Sequence, residues 1–433
     1  MRAALVRGYV TVRHRDLKRA LARIEQSQWL EPSLLERLQV EKLRAMLLHA
    51  GRSVPYYRDL FRRLGFEPQG LGALADLAAL PPLDRETVAE RFEDLQSRPL
   101  PPGARARATG GSTGSPLRLM SDQEDGLCRS AHLYRNLRWL GWDVGGRLAY
   151  VWGSDVDSRE HRGWHGAARD AIAGVLWLDA FSLRRERLDD YLDRLASFDP
   201  DVLIGYPSSL HLLAERALAR PRALTLRGIQ TSAEMLAPRV RADLEAAFGC
   251  PVRDRYGCRE VGVVAHECGA GRLHVNAETV VMECVDGGVL LTGLDNRAMP
   301  LIRYRNEDLA ELSSQPCPCG RGLPVVRAIR GRLADVIRSP GGRLIHGEFF
   351  THLFYDAPGV RRFQVHQTLP AHLRISVVAG PEFTPATQEH MGRLIQTHAD
   401  PAFRVEWIHV SEIAPGPSGK FRFTISDVPN SSV

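Results

Sequence analysis

The sequence predicts an α/β protein with a large N-terminal domain, built on a mainly parallel sheet with an attached β subdomain, and a small α+β C-terminal domain. Three observations lead to this prediction. A chain of 433 residues is too long for one ordinary core. Strand and helix patterns alternate over residues 148–249, as in parallel sheets covered by helices. The last hundred residues have a separate α+β pattern.

The first hundred residues have the periodicity of helices. In the stretch LLERLQVEKLRAMLLHA, which ends at Ala50, apolar residues recur every three or four positions. Asp84 precedes RETVAERFEDL, where an aspartate side chain can cap the start of a helix. Pro101 and Pro102 then end the pattern. We therefore expect a helical segment over about residues 1–100.

The middle of the chain repeats a unit of strand, turn and helix. The stretch GRLAYVWGS is typical of a buried strand, whereas DVLIGYPSSLHLLAERALA and LRGIQTSAEMLAPRVRADLEAAFG each predict a strand followed by a helix. In sheets of this kind ligands bind at the carboxyl ends of the strands. The turns after these strands are therefore the expected location of a site.

Two further segments complete the predicted fold. Strand patterns without helices between them, in LHVNAETVVMECV, GVLLTGL and MPLIRY, predict a β subdomain over about residues 272–330. After a Gly/Arg stretch, strand and helix patterns return in RRFQVHQ, LRISVVAG, TPATQEHMGRLIQTHA and FRVEWIHVS. We place the domain boundary near Arg332, which gives a large domain of residues 1–331 and a small domain of residues 332–433.

Composition and charge exclude several classes of protein. The net charge of +6 is scattered along the chain, which argues against nucleic-acid binding because that needs a clustered basic patch. The N-terminus is broken by arginines and is not typical of a secretory signal, and no apolar run is long enough for a membrane span. We expect a cytoplasmic protein whose seven cysteines are reduced.

A Gly/Ser/Thr loop is the first candidate for chemistry. The stretch ATGGSTGSPLRL, residues 108–119, follows Arg105 and Arg107. Consecutive small residues let backbone N–H groups turn toward phosphate oxygens, although a flexible surface loop is the alternative. The loop lacks the Gly-Lys-Ser/Thr of a Walker A motif, and the chain has no Gly-x-Ser-x-Gly elbow for a serine nucleophile.

Lys420 is the second candidate. The chain has three lysines, Lys18, Lys42 and Lys420, among 57 basic residues, and the third lies in the Pro/Gly/Ser-rich stretch PSGKFRF. A flexible ammonium is a compact point charge, whereas a guanidinium is broad and planar. A lysine in this loop is therefore expected to have a chemical role.

An ordered series of motifs resembles the adenylate-forming acyl ligases, in the branch of phenylacetate–CoA ligase-like and capsular-polysaccharide-type ligases. TGGSTGSP resembles the phosphate loop of that family, TSAEML its adenine turn, YGCRE its Tyr-Gly-x-x-Glu element and MPLIRYRNEDLAEL the segment with the ribose-binding aspartate. GRLADVI resembles the interdomain hinge and SGKFRF the catalytic-lysine loop, while VPYYRDLF and GYPSSL also match this branch. The resemblance implies that the small domain is mobile.

The resemblance implies a role for each matching residue. Lys420 would stabilise charge as a carboxylate attacks the α-phosphate of ATP, and Glu260 would bind Mg²⁺. Tyr256 would flank the adenine, Asp308 would accept the ribose hydroxyls, and Arg332 would approach the ribose or a phosphate. The remaining nucleotide contacts implied are Thr109, Ser112, Thr113 and Gly114 in the phosphate loop and Ser232, Ala233 and Glu234 in the adenine turn. Core or surface roles are the alternatives for Tyr256, Glu260, Asp308 and Arg332.

Three positions depart from the family pattern. Arg259 stands where many relatives have threonine, and Glu307 stands where they have glycine before the ribose aspartate. Ala334, followed by Asp335, occupies the position of the hinge acid. These changes affect the nucleotide geometry and the hinge, and they favour the capsular-type branch.

Cysteine and histidine form a second constellation. Cys268 and His274 have the spacing Cys-x5-His, and Cys317 and Cys319 form Cys-x-Cys in a Pro/Gly knuckle. Three thiolates and one imidazole suit a closed tetrahedral zinc site, and the resemblance favours the same assignment. The alternative is four reduced structural residues, and the competing ligands are His266, Cys258 and Cys284.

The sequence thus predicts an ATP- and Mg²⁺-dependent, AMP-forming carboxylate ligase that transfers its acyl group to coenzyme A. An amine is the close alternative to coenzyme A as the acceptor. Two alternatives for the function itself are a non-catalytic nucleotide-binding protein and a zinc-ribbon nucleic-acid binder. The resemblance also implies a homodimer. The sequence does not identify the acyl pocket. Trp152 and Tyr206, at strand ends, are candidate pocket residues, with a core role as the alternative.

Overall fold

A computed structural model describes residues 15–108, 117–152, 170–180, 183, 185–332, 337–341, 344–345, 347–355, 357–414 and 421–428. Its α-helices are α1 Arg15–Ser27, α2 Pro32–Ser53, α3 Pro55–Leu64, α4 Arg85–Glu90, α5 Gln123–Arg138, α6 Leu188–Phe198, α7 Pro207–Ala219, α8 Pro238–Phe248, α9 Gly347–Tyr355 and α10 Pro385–His398. No described helix has the length and apolar character needed to cross a membrane.

The described strands are short and most lie in the second half of the chain. They are β1 Arg105–Ala108, β2 Arg118–Ser121, β3 Leu148–Trp152, β4 Val175–Asp179, β5 Val202–Gly205, β6 Gly228–Ser232, β7 Val252–Cys258, β8 Gly262–Glu267, β9 Leu273–Val275, β10 Val280–Val285, β11 Gly288–Gly293, β12 Tyr304–Ser313, β13 Val325–Arg332, β14 Ile337–Arg338, β15 Leu344–Ile345, β16 Val360–Leu369, β17 His372–Ala379, β18 Arg404–His409 and β19 Thr424–Ser426.

Local sequence signals explain where the helices begin. Proline occupies the first turn of α2, α3, α7, α8 and α10, where its missing N–H costs no hydrogen bond. The side chain of Asp84 accepts a hydrogen bond of 2.7 Å from the backbone N–H of Thr87 and so caps α4. Helices α1 to α4 lie within the segment predicted to be helical, and the start signal at Asp84 is confirmed.

An eleven-stranded sheet organises the large domain, in the order β10-β11-β12-β13-β9-β8-β7-β6-β5-β3-β4. The five strands from β7 to β4 are parallel neighbours, with α7 and α8 following β5 and β6 as predicted. The other strands are antiparallel. The sheet is therefore mixed: the predicted β subdomain continues the parallel part directly, because β7 pairs with β6 on one edge and with β8 on the other.

Apolar residues on both sides of this sheet form the cores of the large domain. Ala149, Leu203 and Ile229 of the parallel strands are fully buried with residues of α6, α7 and α8. The N-terminal helices pack against the antiparallel part, where Leu43, Tyr57 and neighbouring residues meet the segment before β12. Burying a side chain of this size contributes about 1.5–3 kcal/mol relative to leaving it exposed.

The chain beyond β13 forms a second sheet with its own core. β16 and β17 form an antiparallel hairpin, and β18 and β19 add to it as parallel edge strands. Phe350 and Phe354 of α9 pack with Phe363 of β16 and with Met391 and Ile395 of α10. The observed helix and strands agree with the α+β pattern predicted for the small domain. The parallel pairing of β19 places the residues after Lys420 beside β16.

Candidate active site

Tyr256 and Asp308 come together at the centre of the candidate site. Tyr256 lies near the end of β7, and its hydroxyl donates a hydrogen bond of 2.7 Å to Oδ2 of Asp308 near the start of β12. Burial, followed by the charge of Asp308, raises the pKa of Tyr256 well above its ordinary value. Two residues 52 positions apart, each predicted to contact the nucleoside, are thus in direct contact.

Asn306 joins this pair and was not predicted. Its Nδ2 donates to the hydroxyl oxygen of Tyr256 at 2.8 Å and to Oδ2 of Asp308 at 2.6 Å. Side chains two residues apart on a strand point to the same face of the sheet. The position of Asn306, two residues before Asp308, is therefore the sequence feature from which this contact could have been predicted. The amide fixes the orientation of both side chains.

Glu260 lies just beyond β7, in the turn to β8. Its Oε1 accepts a hydrogen bond of 3.1 Å from the hydroxyl of Tyr304 and lies 3.5 Å from Nη1 of Arg85. Burial and the Glu260 carboxylate raise the pKa of Tyr304. Arg129 of α5 donates to the backbone carbonyl of Glu260 at 3.0 Å, which holds the turn in place. Tyr304, Arg85 and Arg129 were not identified from the sequence.

Gly257 has a steric role in this turn. A Cβ atom at Gly257 would lie 2.5 Å from the backbone oxygen of Gly262 in β8. No side chain fits there without moving the backbone. Gly257 therefore allows β7 and β8 to approach closely in the hairpin, with Tyr256 before it and Glu260 after it in the chain.

The predicted adenine turn follows β6. The hydroxyl of Ser232 donates to the backbone oxygen of Arg255 at 3.0 Å, which joins the ends of β6 and β7. Ala233 has a φ of 74°, in the left-handed region that residues with a side chain rarely adopt. Backbone strain of this kind is concentrated at ligand sites. The backbone conformation of this turn, next to the strand that carries Tyr256, is therefore tightly constrained.

Glu234 makes contacts that its predicted role did not include. Its carboxylate accepts hydrogen bonds from the backbone N–H and the hydroxyl of Ser208, at 2.9 and 3.0 Å, at the start of α7. It also accepts one of 2.9 Å from the backbone N–H of Phe421 in the small domain. Burial raises the pKa of Glu234. The residue directly after Lys420 is thus attached to the adenine turn.

Several predicted residues fall outside the described part of the chain. These are Thr109, Ser112, Thr113, Gly114, Ala334, Asp335 and Lys420. Arg259 contacts the last described residue before the Gly/Ser/Thr stretch, because its Nη1 donates to the backbone oxygen of Ala108 at 3.4 Å. Arg332 ends β13, where its backbone pairs with that of Asp308. The backbone of Arg332 is therefore next to the candidate ribose site.

Glu307 has a φ of 59°, which explains why relatives have glycine there. A left-handed conformation costs a residue with a side chain roughly 1–2 kcal/mol, whereas glycine adopts it freely. We expect Glu307→Gly to raise the free energy of unfolding by about 1 kcal/mol, part of the gain being offset by greater freedom of the unfolded chain. Urea unfolding measures this change. A destabilised variant would contradict the assignment, and Glu311→Gly, on the same strand at a residue outside the left-handed region, is the control that should lose stability.

A Cys/His cluster lies at the other end of the antiparallel part. Sγ of Cys268 is 3.7 Å from Sγ of Cys317, and Sγ of Cys319 is 3.3 Å from Nε2 of His274. All four candidate ligand atoms lie within 4.8 Å of one another. The four predicted metal-binding residues are thus brought together. The competing residues Cys258, His266 and Cys284 are not in the cluster.

The orientation of His274 suits a metal ligand. Nδ1 lies 3.1 Å from the backbone oxygen of Leu323, and as a donor to it leaves a lone pair on Nε2, which faces the thiols. Burial lowers the pKa of His274 to about 4, so the ring is neutral at pH 7. The separation of the Cys268 and Cys317 sulfurs agrees with tetrahedral coordination at a zinc–sulfur distance of about 2.3 Å.

The knuckle that carries Cys317 and Cys319 is fixed to the N-terminal helices. The guanidinium carbon of Arg321 lies 4.6 Å from the ring centroid of Trp29 and 4.2 Å from that of Trp139. A Cβ at Gly322 would lie 1.8 Å from the backbone oxygen of Leu30, so the two backbones are in close contact. The cluster therefore lies where the helical segment meets the sheet.

The architecture is that of the adenylate-forming enzymes. Over 93% of this chain and 92% of the other, it superimposes on 2-hydroxyisobutyryl-CoA ligase in the postadenylation state with a TM-score of 0.76 at 18% identity. The TM-score against that ligase in the thioesterification state is 0.61, and the same fractions of the two chains are covered. MatB from Rhodopseudomonas palustris gives 0.53 at 17% identity, over 73% of this chain and 66% of that one.

Sequence comparison gives the branch. The chain is 27% identical to a phenylacetate–coenzyme A ligase of Thermus thermophilus over 70% of its length and 71% of that protein. It is 23% identical to protein CapK of Staphylococcus aureus over 77% of its length and 75% of that protein. Residues 337–427 match the family model of the CapK C-terminal domain. These similarities support the branch of phenylacetate–CoA ligase-like and CapK-type proteins among the adenylate-forming acyl ligases.

Proposed function

We propose that the chain is an ATP-dependent, AMP-forming acyl ligase. The observation that carries this proposal is the hydrogen bond from the backbone N–H of Phe421 to Glu234. It brings Phe421, the residue directly after Lys420 in the sequence, to the turn beside the strand end that carries Tyr256. The proposal takes residues 332–433 as the movable domain that carries Lys420.

In the proposed first step, a carboxylate oxygen of the acid attacks the α-phosphorus of ATP. A carboxylate–phosphorus bond forms, the bond from that phosphorus to the bridging oxygen breaks, and pyrophosphate leaves with the electron pair. Lys420 stabilises the charge that develops as the two anions meet. Asp308 binds the ribose hydroxyls, Tyr256 flanks the adenine, and Glu260 holds magnesium, which suits a carboxylate with nucleotide oxygens.

The remaining predicted contacts complete the nucleotide site in this proposal. The triphosphate lies in the loop of Thr109, Ser112, Thr113 and Gly114, and Arg259 supplies a cation beside it in place of a hydroxyl. Ser232 and Ala233 form the adenine turn, and Arg332 approaches the ribose or a phosphate.

In the second step the acyl group is transferred to an acceptor. Coenzyme A is the proposed acceptor because phenylacetate–coenzyme A ligases and 2-hydroxyisobutyryl-CoA ligase are among the similar proteins. An amine acceptor would give an amide by the same loss of AMP, and a homodimer stays a prediction.

We also propose that Cys268, His274, Cys317 and Cys319 hold a structural zinc ion. Their separations, the orientation of His274 and the soft thiolate donors fit tetrahedral zinc. Four protein ligands leave no open position, so the ion stabilises the fold and takes no part in adenylation. Its structural effect is to join the ends of β8 and β9 to the β12–β13 connection.

The test of the proposed function is acid-dependent exchange between ATP and labelled pyrophosphate, with no acceptor present. We expect exchange with at least one acid from a panel of aryl, fatty, hydroxy and dicarboxylic acids, because exchange reports a reversible adenylate. Addition of CoA or of amines then separates thioester from amide formation. ATP binding without exchange for any acid would favour the non-catalytic alternative.

A further inference from the structure

Arg255 of β7 is a half-buried arginine. Its Nε donates to the hydroxyl of Ser232 at 3.3 Å. No ion pair joins it to a carboxylate among the described residues. The adjacent Asp254 is engaged elsewhere, because its Oδ1 accepts from the hydroxyl of Thr231 at 2.7 Å. An arginine partly removed from water without a counter-ion is energetically unfavourable, so it requires an explanation.

An aromatic pair lies beside this guanidinium. Its carbon lies 5.7 Å from the ring centroid of Trp152, at the end of β3, and the rings of Trp152 and Tyr206 are 4.4 Å apart. Removal from water lowers the pKa of Arg255, and the carboxylate of Asp254 opposes this only in part. The aromatic faces interact favourably with the cation, but they do not use the N–H donors of its two Nη atoms.

The position of Arg255 relative to Tyr256 indicates which part of a ligand it meets. Successive side chains of a strand point to opposite faces of the sheet. Tyr256 contacts Asp308, whereas Arg255 faces Ser232 and Trp152. Under the proposed function, the reacting carboxylate lies with the nucleotide, on the side of Tyr256 and Glu260. Arg255 lies on the opposite face of β7 from Tyr256, next to Ser232 and Trp152, and the inference takes the far end of the acyl group to lie beside its guanidinium.

We propose that Arg255 binds a second carboxylate of the acyl substrate, so that the enzyme activates dicarboxylic acids at one end and holds them at the other. This inference rests on the proposed function and names its substrate class. A planar guanidinium binds a carboxylate through two parallel N–H···O bonds, and Trp152 and Tyr206 flank the connecting atoms. A monocarboxylic acid leaves the guanidinium desolvated and unpaired, and so binds less well.

The experiment compares pairs of acids in which one hydrogen is replaced by a second carboxylate: pentanoate with adipate, benzoate with isophthalate, and 3-methylphenylacetate with 1,3-phenylenediacetate. For at least one pair we expect the dicarboxylate to support pyrophosphate exchange with a kcat/KM roughly 100-fold higher, because an unpaired buried polar group penalises the analogue that lacks the partner. Arg255→Met should abolish or reverse this preference, and Arg255→Lys should keep part of it.

Arg253 is the matched control, because it lies on the same strand and its guanidinium donates to the backbone oxygens of Val252 and Gly269, at 3.0 and 3.3 Å. Arg253→Met should retain the preference for the dicarboxylate. A wild-type preference for the monocarboxylate in all three pairs would overturn the inference. If Arg255→Met lowered kcat/KM by the same factor for both members of a pair, the inference would also be overturned. The guanidinium would then act on the reacting carboxylate or on a phosphate.

A binding measurement separates failure of this inference from failure of the proposed function. Adipate, isophthalate and 1,3-phenylenediacetate are titrated in the presence of AMP and followed by calorimetry. Binding by the wild type and loss of binding in Arg255→Met support the inference, even where no exchange is found and the proposed function fails. Equal affinities, or no binding of any dicarboxylate, overturn the inference, while exchange with a monocarboxylic acid leaves the proposed function standing.

Discussion

Replacing Lys420 by alanine is expected to slow acid-dependent ATP–pyrophosphate exchange by roughly 100- to 1000-fold, the loss typical of one group that stabilises developing charge. The affinity for ATP should change little, since the nucleotide contacts proposed for Tyr256 and Asp308 lie in the large domain. Exchange kinetics and calorimetric titration of ATP measure the two quantities separately. The physical reason is that the attacking carboxylate and the α-phosphate are both anionic, so their approach needs a cation.

Two variants control for this prediction. Lys420→Arg keeps the charge but replaces a compact ammonium by a broad guanidinium, and it should recover only a small part of the rate. Lys18→Ala removes an exposed lysine of α1 and should leave exchange unchanged. Lys42 is unsuitable as a control because it forms an ion pair of 2.6 Å with Asp295. Exchange at the wild-type rate in Lys420→Ala would remove Lys420 from the mechanism.

Substituting Cys317 and Cys319 by serine is expected to remove one equivalent of zinc and to lower the melting temperature by roughly 5–10 °C. Structural zinc contributes several kcal/mol to folding, and about 1 kcal/mol corresponds to 2–4 °C in domains of 150–250 residues. Loss of the ion frees the β12–β13 connection and the contact of Arg321 with Trp29 and Trp139. Elemental analysis and thermal unfolding measure the two effects.

Cys284 provides the matched control, because it lies on β10 outside the cluster. Cys284→Ser should keep its zinc and should not respond differently from the wild type to a chelator. Wild-type protein that is purified without chelator and contains no zinc would show that the four residues are a reduced structural cluster. A double variant that keeps both zinc and melting temperature would lead to the same conclusion.

Much of the fold was predictable because the signals are local. The alternation of strand and helix over β5, α7, β6 and α8 follows from apolar periodicity, and Asp84 caps α4 as its position indicates. The continuity of the mixed sheet was not predictable. It depends on β7 having hydrogen-bonding partners on both edges. The sequence of a single strand contains little information about which distant strand it pairs with.

The site was predictable as a set of motifs but not as a set of contacts. Tyr256, Glu260 and Asp308 stand in recognisable motifs, whereas Arg85 comes from a helix with no such signal and reaches Glu260 through tertiary packing. Glu234 was expected to contact adenine, and in the structure it binds Ser208 and Phe421. Partners of this kind depend on how separate segments pack against one another, which local sequence does not encode.

The hydrogen bond between Phe421 and Glu234 has a consequence for domain rotation. Any movement that carries Phe421 away from the large domain breaks this bond, and Glu234 then retains donors from Ser208 alone. A hydrogen bond to a charged group contributes about 1.5–3 kcal/mol, so water has to replace the lost amide. The balance between closed and open arrangements therefore includes the hydration of one carboxylate, and it depends on the solvent as well as on the ligands.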